Sequence, residues 1–260
     1  MGQEVCRTVL ARPGLDLVAA VDPGHAGVDL GRLIGADAGG MAIAGALGAL
    51  TDAGTEVIVD FTWLDAARTT LAFCAATGIH AVVGTTGFSE DDIAQLRGLF
   101  AGPEAGAPNC IVAPNFAIGA VLLMRFAELA APFFDGVEII ELHHGGKLDA
   151  PSGTAMRTAE RIAAGRSAAG ADRFPPDRTA TSVVDGARGG EGPGGVRLHS
   201  VRLPGLVAHE EVIFGGVGQS LTLRHDSYDR SSFMDGVMMA VEGVATRPGL
   251  TLGLEPLLGL

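Results

Sequence analysis

Short unbroken apolar runs alternate with longer segments of mixed polarity through the first half of the chain. Residues 17–22, 56–62, 79–86 and 110–113 each carry three or more consecutive apolar positions, and the first three end in Asp, Thr or Gly-Thr-Thr. Such runs are expected of parallel strands covered on both faces. Between the last two lies a segment with the period of a helix. Ser89 followed by Glu90, Asp91 and Asp92 predicts a helix start, because a Ser oxygen and nearby carboxylates satisfy free N–H groups at the positive helix end. Ile93, Leu96 and Phe100 then share one face. Strand and helix in alternation predict a doubly wound sheet.

The pattern changes after residue 117. Residues 137–143 alternate as a strand covered on one face, with Val137, Ile139, Glu141 and His143 on one side and His144 on the other. A helix is expected over residues 154–164, stopped by Gly165. Residues 166–195 are polar and rich in Gly and Pro, and read as a long loop with one strand near 181–184. Strands follow near 197–203, 207–214 and 219–225, the last two joined by a Gly-rich turn over 215–218. A helix over 232–246 and a strand over 250–254 close the chain, and that strand can rejoin the first sheet. The expected fold is α/β, a Rossmann-like doubly wound parallel sheet plus a second α+β domain with an open mixed sheet. The expected domain boundaries are 1–116, 117–226 and 227–260, the last segment returning to the first domain.

Composition narrows the class. The chain has 260 residues, of which 47% are hydrophobic, enough for one large or two modest domains with real cores. A formal net charge of −12 without any basic cluster argues against a nucleic-acid partner. Cys6, Cys74 and Cys110 are odd in number and far apart, as expected of a reducing compartment. No apolar run reaches the length of a membrane span, and no signal-peptide pattern opens the chain, so a cytoplasmic location without membrane contact is expected.

Lys147 is the one lysine in the sequence; the other basic residues are all Arg. An ammonium can give up a proton where a guanidinium effectively cannot. This Lys stands in a segment that also holds Glu141, His143, His144, Asp149 and Ser152-Gly153-Thr154. Ser-Gly-Thr at a helix start offers free N–H groups to a carboxylate or phosphate, although alone it is more often an ordinary cap. An ammonium, two imidazoles and a helix start together suit a small dianion that must also receive a proton. Two adjacent His at a strand end do not form a usual zinc pair, and Asp149 is the one further candidate ligand, so no metal is expected. Gly84-Thr85-Thr86 and Ala113-Pro114-Asn115-Phe116 follow apolar strands, where such sheets present a ligand, and Asp22 ends another. The other His residues read as structural or surface groups, His80 as a satisfied core imidazole, and Phe61 and Trp63 as core packing.

Together the segments 84–88, 113–119, 141–144, Lys147, 149–155, 224–227 and 249–256 resemble the bacterial dihydrodipicolinate reductases, also called 4-hydroxy-tetrahydrodipicolinate reductases. The resemblance covers essentially the whole chain, and its His-His to Ser-Gly-Thr-Ala stretch is highly specific. It implies an oxidoreductase of the diaminopimelate route to lysine, using NADH or NADPH on a small dicarboxylate, assembled as a homotetramer through its central sheet. Carried over by position, His143 is the proton donor or acceptor and Lys147 a second proton donor. His144, Gly153 and Thr154 hold substrate. Gly84, Thr85, Thr86, Ala113, Pro114, Asn115 and Phe116 line the nicotinamide, and Asp22 meets the ribose. No Arg stands beside Asp22 to meet a 2′-phosphate, which favours NADH.

The resemblance also aligns Met1–Val5 with the end of the family's glycine-rich turn, leaving its first strand and earlier glycines without a counterpart. A late start codon is the preferred explanation. The alternative is an N-terminally truncated, cofactor-impaired relative that binds the dicarboxylate without turnover. A sheet lacking a central strand would expose polar backbone, so poor NADH binding and aggregation are expected of this form. A reductase for an aldehyde or a sugar acid is a further reading. A cysteine-nucleophile dehydrogenase is disfavoured, since Cys74 falls in a helix and Cys110 at a strand start.

Overall fold

The protein, described here from a computed structural model over residues 1–102 and 107–260, divides into two compact units. Unit 1 comprises Met1–Phe116 and Phe233–Leu260; unit 2 comprises Ala117–Ser232.

Unit 1 begins with helices α1 (Gly2–Ala11), α2 (Leu30–Ile34) and α3 (Gly48–Asp52). Strand β1 (Val57–Asp60), helix α4 (Leu64–Thr77), strand β2 (His80–Val83), helix α5 (Glu90–Leu99) and strand β3 (Cys110–Val112) follow in alternation. Unit 2 runs through α6 (Ile118–Ala130), β4 (Gly136–His143), α7 (Gly153–Ala168), β5 (Gly190–Glu191), β6 (Arg197–Arg202), β7 (Ala208–Gly216) and β8 (Gln219–Ser227). The chain then returns to unit 1 with α8 (Met234–Val244), β9 (Leu250–Leu252) and α9 (Glu255–Leu258).

The first sheet is parallel throughout, in the order β1-β2-β3-β9. Leu71, Cys74, Ala81, Val83, Leu96, Phe100 and Cys110 form its buried core, and the β9 pairing shows that the last strand does rejoin this sheet. Helix α5 starts where expected. The Ser89 oxygen accepts from the Asp92 N–H, and the Asp92 carboxylate accepts from the Ser89 N–H at 2.8 Å, a reciprocal cap. The second sheet is mixed, in the order β5-β6-β4-β7-β8, with β6 parallel to β4 and the other pairs antiparallel. Its inward residues Ile139, Val212 and Phe214 pack with Ala155, Ala159 and Ile162 of α7.

Four expectations are corrected. Residues 17–22 do not form a strand: a strand needs a ladder, and here a single parallel bridge joins Val21 to Ala44. Residues 181–184 are also not a strand. Val183 and Val184 stand exposed, and the short pairing partner of β6 is instead Gly190–Glu191. Gly165 does not stop α7, which continues to Ala168 and ends with Gly170 at φ +70°. A side chain at Gly165 would fall within 3.0 Å of the Glu128 carbonyl oxygen on α6, so this glycine serves close helix packing. Trp63 is 70% exposed rather than core, while Phe61 does pack edge-on against Phe116 at 5.5 Å between ring centres.

Candidate active site

In unit 2 the strand period carries Glu141 and His143 to the same face near the end of β4. Glu141 is fully buried, a costly place for a charge unless it is paired. The pairing is dense. Arg202, the last residue of β6, donates to both Glu141 carboxylate oxygens at 2.8 Å. The Ser152 N–H donates to Oε1 at 3.2 Å, and His143 Nδ1 lies 2.6 Å from Oε2. Burial pushes the Glu141 carboxyl up, but the bonds from Arg202, Ser200 and His143 together hold it below the usual range, so it is ionised. Burial likewise holds His143 below the ordinary imidazole value; Glu141 pulls it up, and Lys147 and Arg202 push it down. An ionised Glu141 can only accept, so Nδ1 carries a proton and Nε2 is left for chemistry.

Beyond β4 the chain turns back to α7. Lys147 Nζ reaches Asp149 at 2.8 and 3.0 Å, and this bond holds the Asp149 carboxyl below its usual range. Arg202 also donates to the Asp149 carbonyl oxygen at 2.7 Å. The Ala150–Pro151 peptide is cis. Ser152 then caps α7, its oxygen accepting from the Ala155 N–H at 3.2 Å, and Gly153 and Thr154 open the helix. Nothing lies within 4 Å of where a Gly153 side chain would begin. His143, Lys147, Gly153 and Thr154 thus gather around one strand end and one helix start. His144 lies just past the end of β4 and is exposed. Among the described residues no three His, Cys, Asp or Glu side chains are arranged for a metal.

In unit 1, Gly84-Thr85-Thr86 and Ala113–Phe116 both leave the carboxyl ends of neighbouring strands. The Ala113 N–H donates to the Val83 carbonyl at 2.9 Å, which ties the two exits together. Thr85 is buried, with its hydroxyl 3.2 Å from Asp60 Oδ1 and 3.1 Å from the Thr62 carbonyl. Thr86 and Pro114 are exposed. A side chain at Gly84 would overlap the Phe61 ring, which in turn leans on Phe116. Asp22 accepts from the Gly24 N–H and pairs with His25 Nδ1, both at 2.8 Å, and the His25 bond holds its carboxyl below the usual range. Gly84 makes room for the Phe61 ring, and the exposed Thr86 and Pro114 stand beyond the carboxyl ends of the strands, where a sheet of this kind can take a nicotinamide nucleotide.

Arg202, and the roles of Glu141 and Asp149, escape a reading by motif. The signal was present: an acid at an inward position of an apolar strand demands a cation, and Arg202 closes a neighbouring strand. His80 is satisfied as expected, although half-buried rather than in the core. Its Nδ1 accepts from the Asn109 N–H at 2.9 Å, and burial holds it below the ordinary value.

Comparison with known proteins bears on both units. Family models described as dihydrodipicolinate reductase, N-terminus, and dihydrodipicolinate reductase, C-terminus, match residues 1–116 and 119–258. The 4-hydroxy-tetrahydrodipicolinate reductase of Nocardia farcinica is 52% identical over all of this chain and 95% of its own length. That of Corynebacterium urealyticum is 50% identical with the same coverage. A dipicolinate-bound dihydrodipicolinate reductase from Paenisporosarcina sp. TG-14 superposes with a TM-score of 0.83 at 41% identity, over 98% of this chain and 94% of that one. An amine dehydrogenase from Mycobacterium smegmatis, 16% identical with a TM-score of 0.60 over 96% of this chain and 91% of its own, shares the fold alone. The named relatives support the reductase role, and none supports the alternative of a cofactor-impaired relative that binds without turnover. The protein is an oxidoreductase acting on a small substrate, and its Rossmann-like unit implies a nicotinamide cofactor. With both units matched and half the residues shared with named reductases, the chain belongs to the dihydrodipicolinate reductase family.

Proposed function

We propose that this protein reduces 4-hydroxy-tetrahydrodipicolinate to tetrahydrodipicolinate in the diaminopimelate route to lysine, in the cytoplasm, using NADH in preference to NADPH. The observation that carries the reading is the His143–Glu141 pair beside Lys147 and the start of α7. The cofactor supplies a hydride when bound; that hydride and one proton balance only because the 4-hydroxyl group leaves as water. Hydride arrival builds negative charge on the substrate, which a positioned acid must quench. His143 Nε2 is that donor or acceptor, with Nδ1 fixed by Glu141, and Lys147 Nζ is the second donor. The N–H groups of Gly153 and Thr154, aligned with the helix dipole, and His144 hold the ring carboxylates. The Paenisporosarcina relative bears dipicolinate, a ring of this charge type.

Unit 1 is the dinucleotide-binding domain in this reading. Gly84, Thr85, Thr86, Ala113, Pro114, Asn115 and Phe116 line the nicotinamide side, and Asp22 takes the ribose hydroxyls. Unit 2 carries substrate and assembly. The sheet face turned away from α7 presents half-buried Ile140, Leu142 and Ile213, which suits contact with further copies in a homotetramer.

The test is kinetic. His143→Asn and Lys147→Ala should each lower turnover by about 10²- to 10⁴-fold, the usual worth of a positioned proton donor. Their NADH affinities, measured by fluorescence titration, should match wild type. Equal losses in turnover and NADH affinity would reduce both residues to structural roles. A parallel titration with NADH and NADPH, with and without pyridine-2,6-dicarboxylate, reads cofactor preference directly.

A further inference from the structure

A row of four polar residues crosses the second sheet beneath the α7 start. Ser200 on β6 stands in register with Glu141 on β4, Glu141 with Glu210 on β7, and Glu210 with His225 on β8. Register partners project from the same face of a sheet at about 5 Å between Cβ atoms. That face is the packed one, because Val212 and Phe214, which alternate with Glu210, lie in the core with Ala155, Ala159 and Ile162. Glu141 is compensated by Arg202 and His143. Glu210 has no such partner. It is 6% exposed, and its Oε1 makes no hydrogen bond among the described residues.

What Glu210 does meet is the Thr158 hydroxyl, itself fully buried on α7. Thr158 Oγ1 lies 3.0 Å from the carbonyl oxygen of Thr154, in the first turn of that helix. A hydroxyl has one proton to give. While Thr158 donates to Thr154, it can only accept from Glu210, and Glu210 must carry the proton. The surroundings agree. Burial pushes the Glu210 carboxyl up to about 7, against the pull of Thr158, and the charge on Glu141 adds to the rise. The other titratable group facing it is His225, whose ring lies against Gly119 of α6 and is held below its ordinary value by burial.

We propose that Glu210 is a positioning residue for the dicarboxylate site: as a neutral acid it secures the first turn of α7 through Thr158 and Thr154. Ionisation in alkaline medium reverses this in two ways. The Thr158 proton turns to the new carboxylate and releases the Thr154 carbonyl. A second buried negative charge also appears behind the helix start that receives an anion. Both effects weaken binding of a dianion, so dianion binding draws a proton onto Glu210. The inference rests on the reading of the α7 start as the carboxylate site.

The experiment is calorimetric binding of pyridine-2,6-dicarboxylate to the 260-residue protein and to Glu210→Gln, from pH 6 to pH 8.5. The amide is fixed in the neutral form. The ratio of wild-type to variant Kd should be constant at acid pH and rise by about threefold or more above neutrality, as expected for one added charge in a site of intermediate dielectric. A ratio that stays the same at every pH makes Glu210 merely structural and overturns this inference alone. Absence of binding by both proteins at every pH overturns the substrate reading with it. If the variant does not fold, infrared spectroscopy of the wild type decides. A protonated carboxyl band should be present at pH 6, fade above neutrality and persist to higher pH in the dicarboxylate complex; a band that ligand does not shift refutes the proposal.

Discussion

Replacing Gly165 by alanine sets two opposing effects against each other, and the structure decides which one wins. In an open helix interior the change stabilises by about 1 kcal/mol, because glycine has the greater backbone freedom to lose. Gly165 is not open. A Cβ there would sit within 3.0 Å of the Glu128 carbonyl oxygen, an atom of the α6 backbone that cannot rotate aside. Relief requires α6 and α7 to move apart, and Leu123, Ala127, Ala155, Ala159 and Ile162 fill the contact between them. Overpacking of this kind costs about 1–3 kcal/mol or more, and backbone overlap belongs at the upper end. The expected net loss is about 1–2 kcal/mol. Gly98, within α5, is the control: nothing lies within 4 Å of its Cβ position, so Gly98→Ala should be neutral or stabilising by up to about 1 kcal/mol. Native-state amide hydrogen exchange resolved by residue reads each helix separately, which suits a chain with two compact units. Amides of α7 in Gly165→Ala should exchange about 5- to 30-fold faster than in wild type. Unchanged or slower exchange there would refute the close-crossing account.

The remaining predictions concern pH, reactivity and the strand-end glycine. Between the unfolded value of 4.5 and the folded value of about 7, native Glu210 holds a proton that the unfolded chain releases, so this group makes stability fall as pH rises through that window. The total is about 3 kcal/mol, and urea melts at pH 5 and pH 8 should show this extra decline in wild type and not in Glu210→Gln; parallel declines would contradict it. Burial pushes the Cys74 thiol up to about 12 and raises Cys110 further, so neither should be alkylated at pH 8 in the folded protein, while denatured protein takes label at all three cysteines. Mass spectrometry showing prompt native labelling at Cys74 would contradict its burial. Gly84→Ala must displace the Phe61 ring and its contact with Phe116, and should weaken NADH binding at least tenfold by fluorescence titration; unaltered affinity would remove this turn from the cofactor site.

The alternation of apolar runs with helical segments was legible because strand and helix periods are local properties of the chain. So were the Ser89 cap of α5, the His143 side of β4 and the helix start at Ser152, each set by a few neighbouring residues. The lone Lys147 stood out by composition alone. Tertiary structure decided what depends on a distant partner. Residues 17–22 and 181–184 have strand-like sequences but lack a full ladder, and backbone pairing is supplied by other segments. Gly165 has the sequence of a stop and the surroundings of a helix crossing, because Glu128 approaches from another helix. Arg202 and Glu210 are 61 and 69 positions from Glu141, and only strand register brings them to it. Sequence specifies which groups can ionise; the folded sheet, by choosing their neighbours and excluding water, determines which of them stay charged.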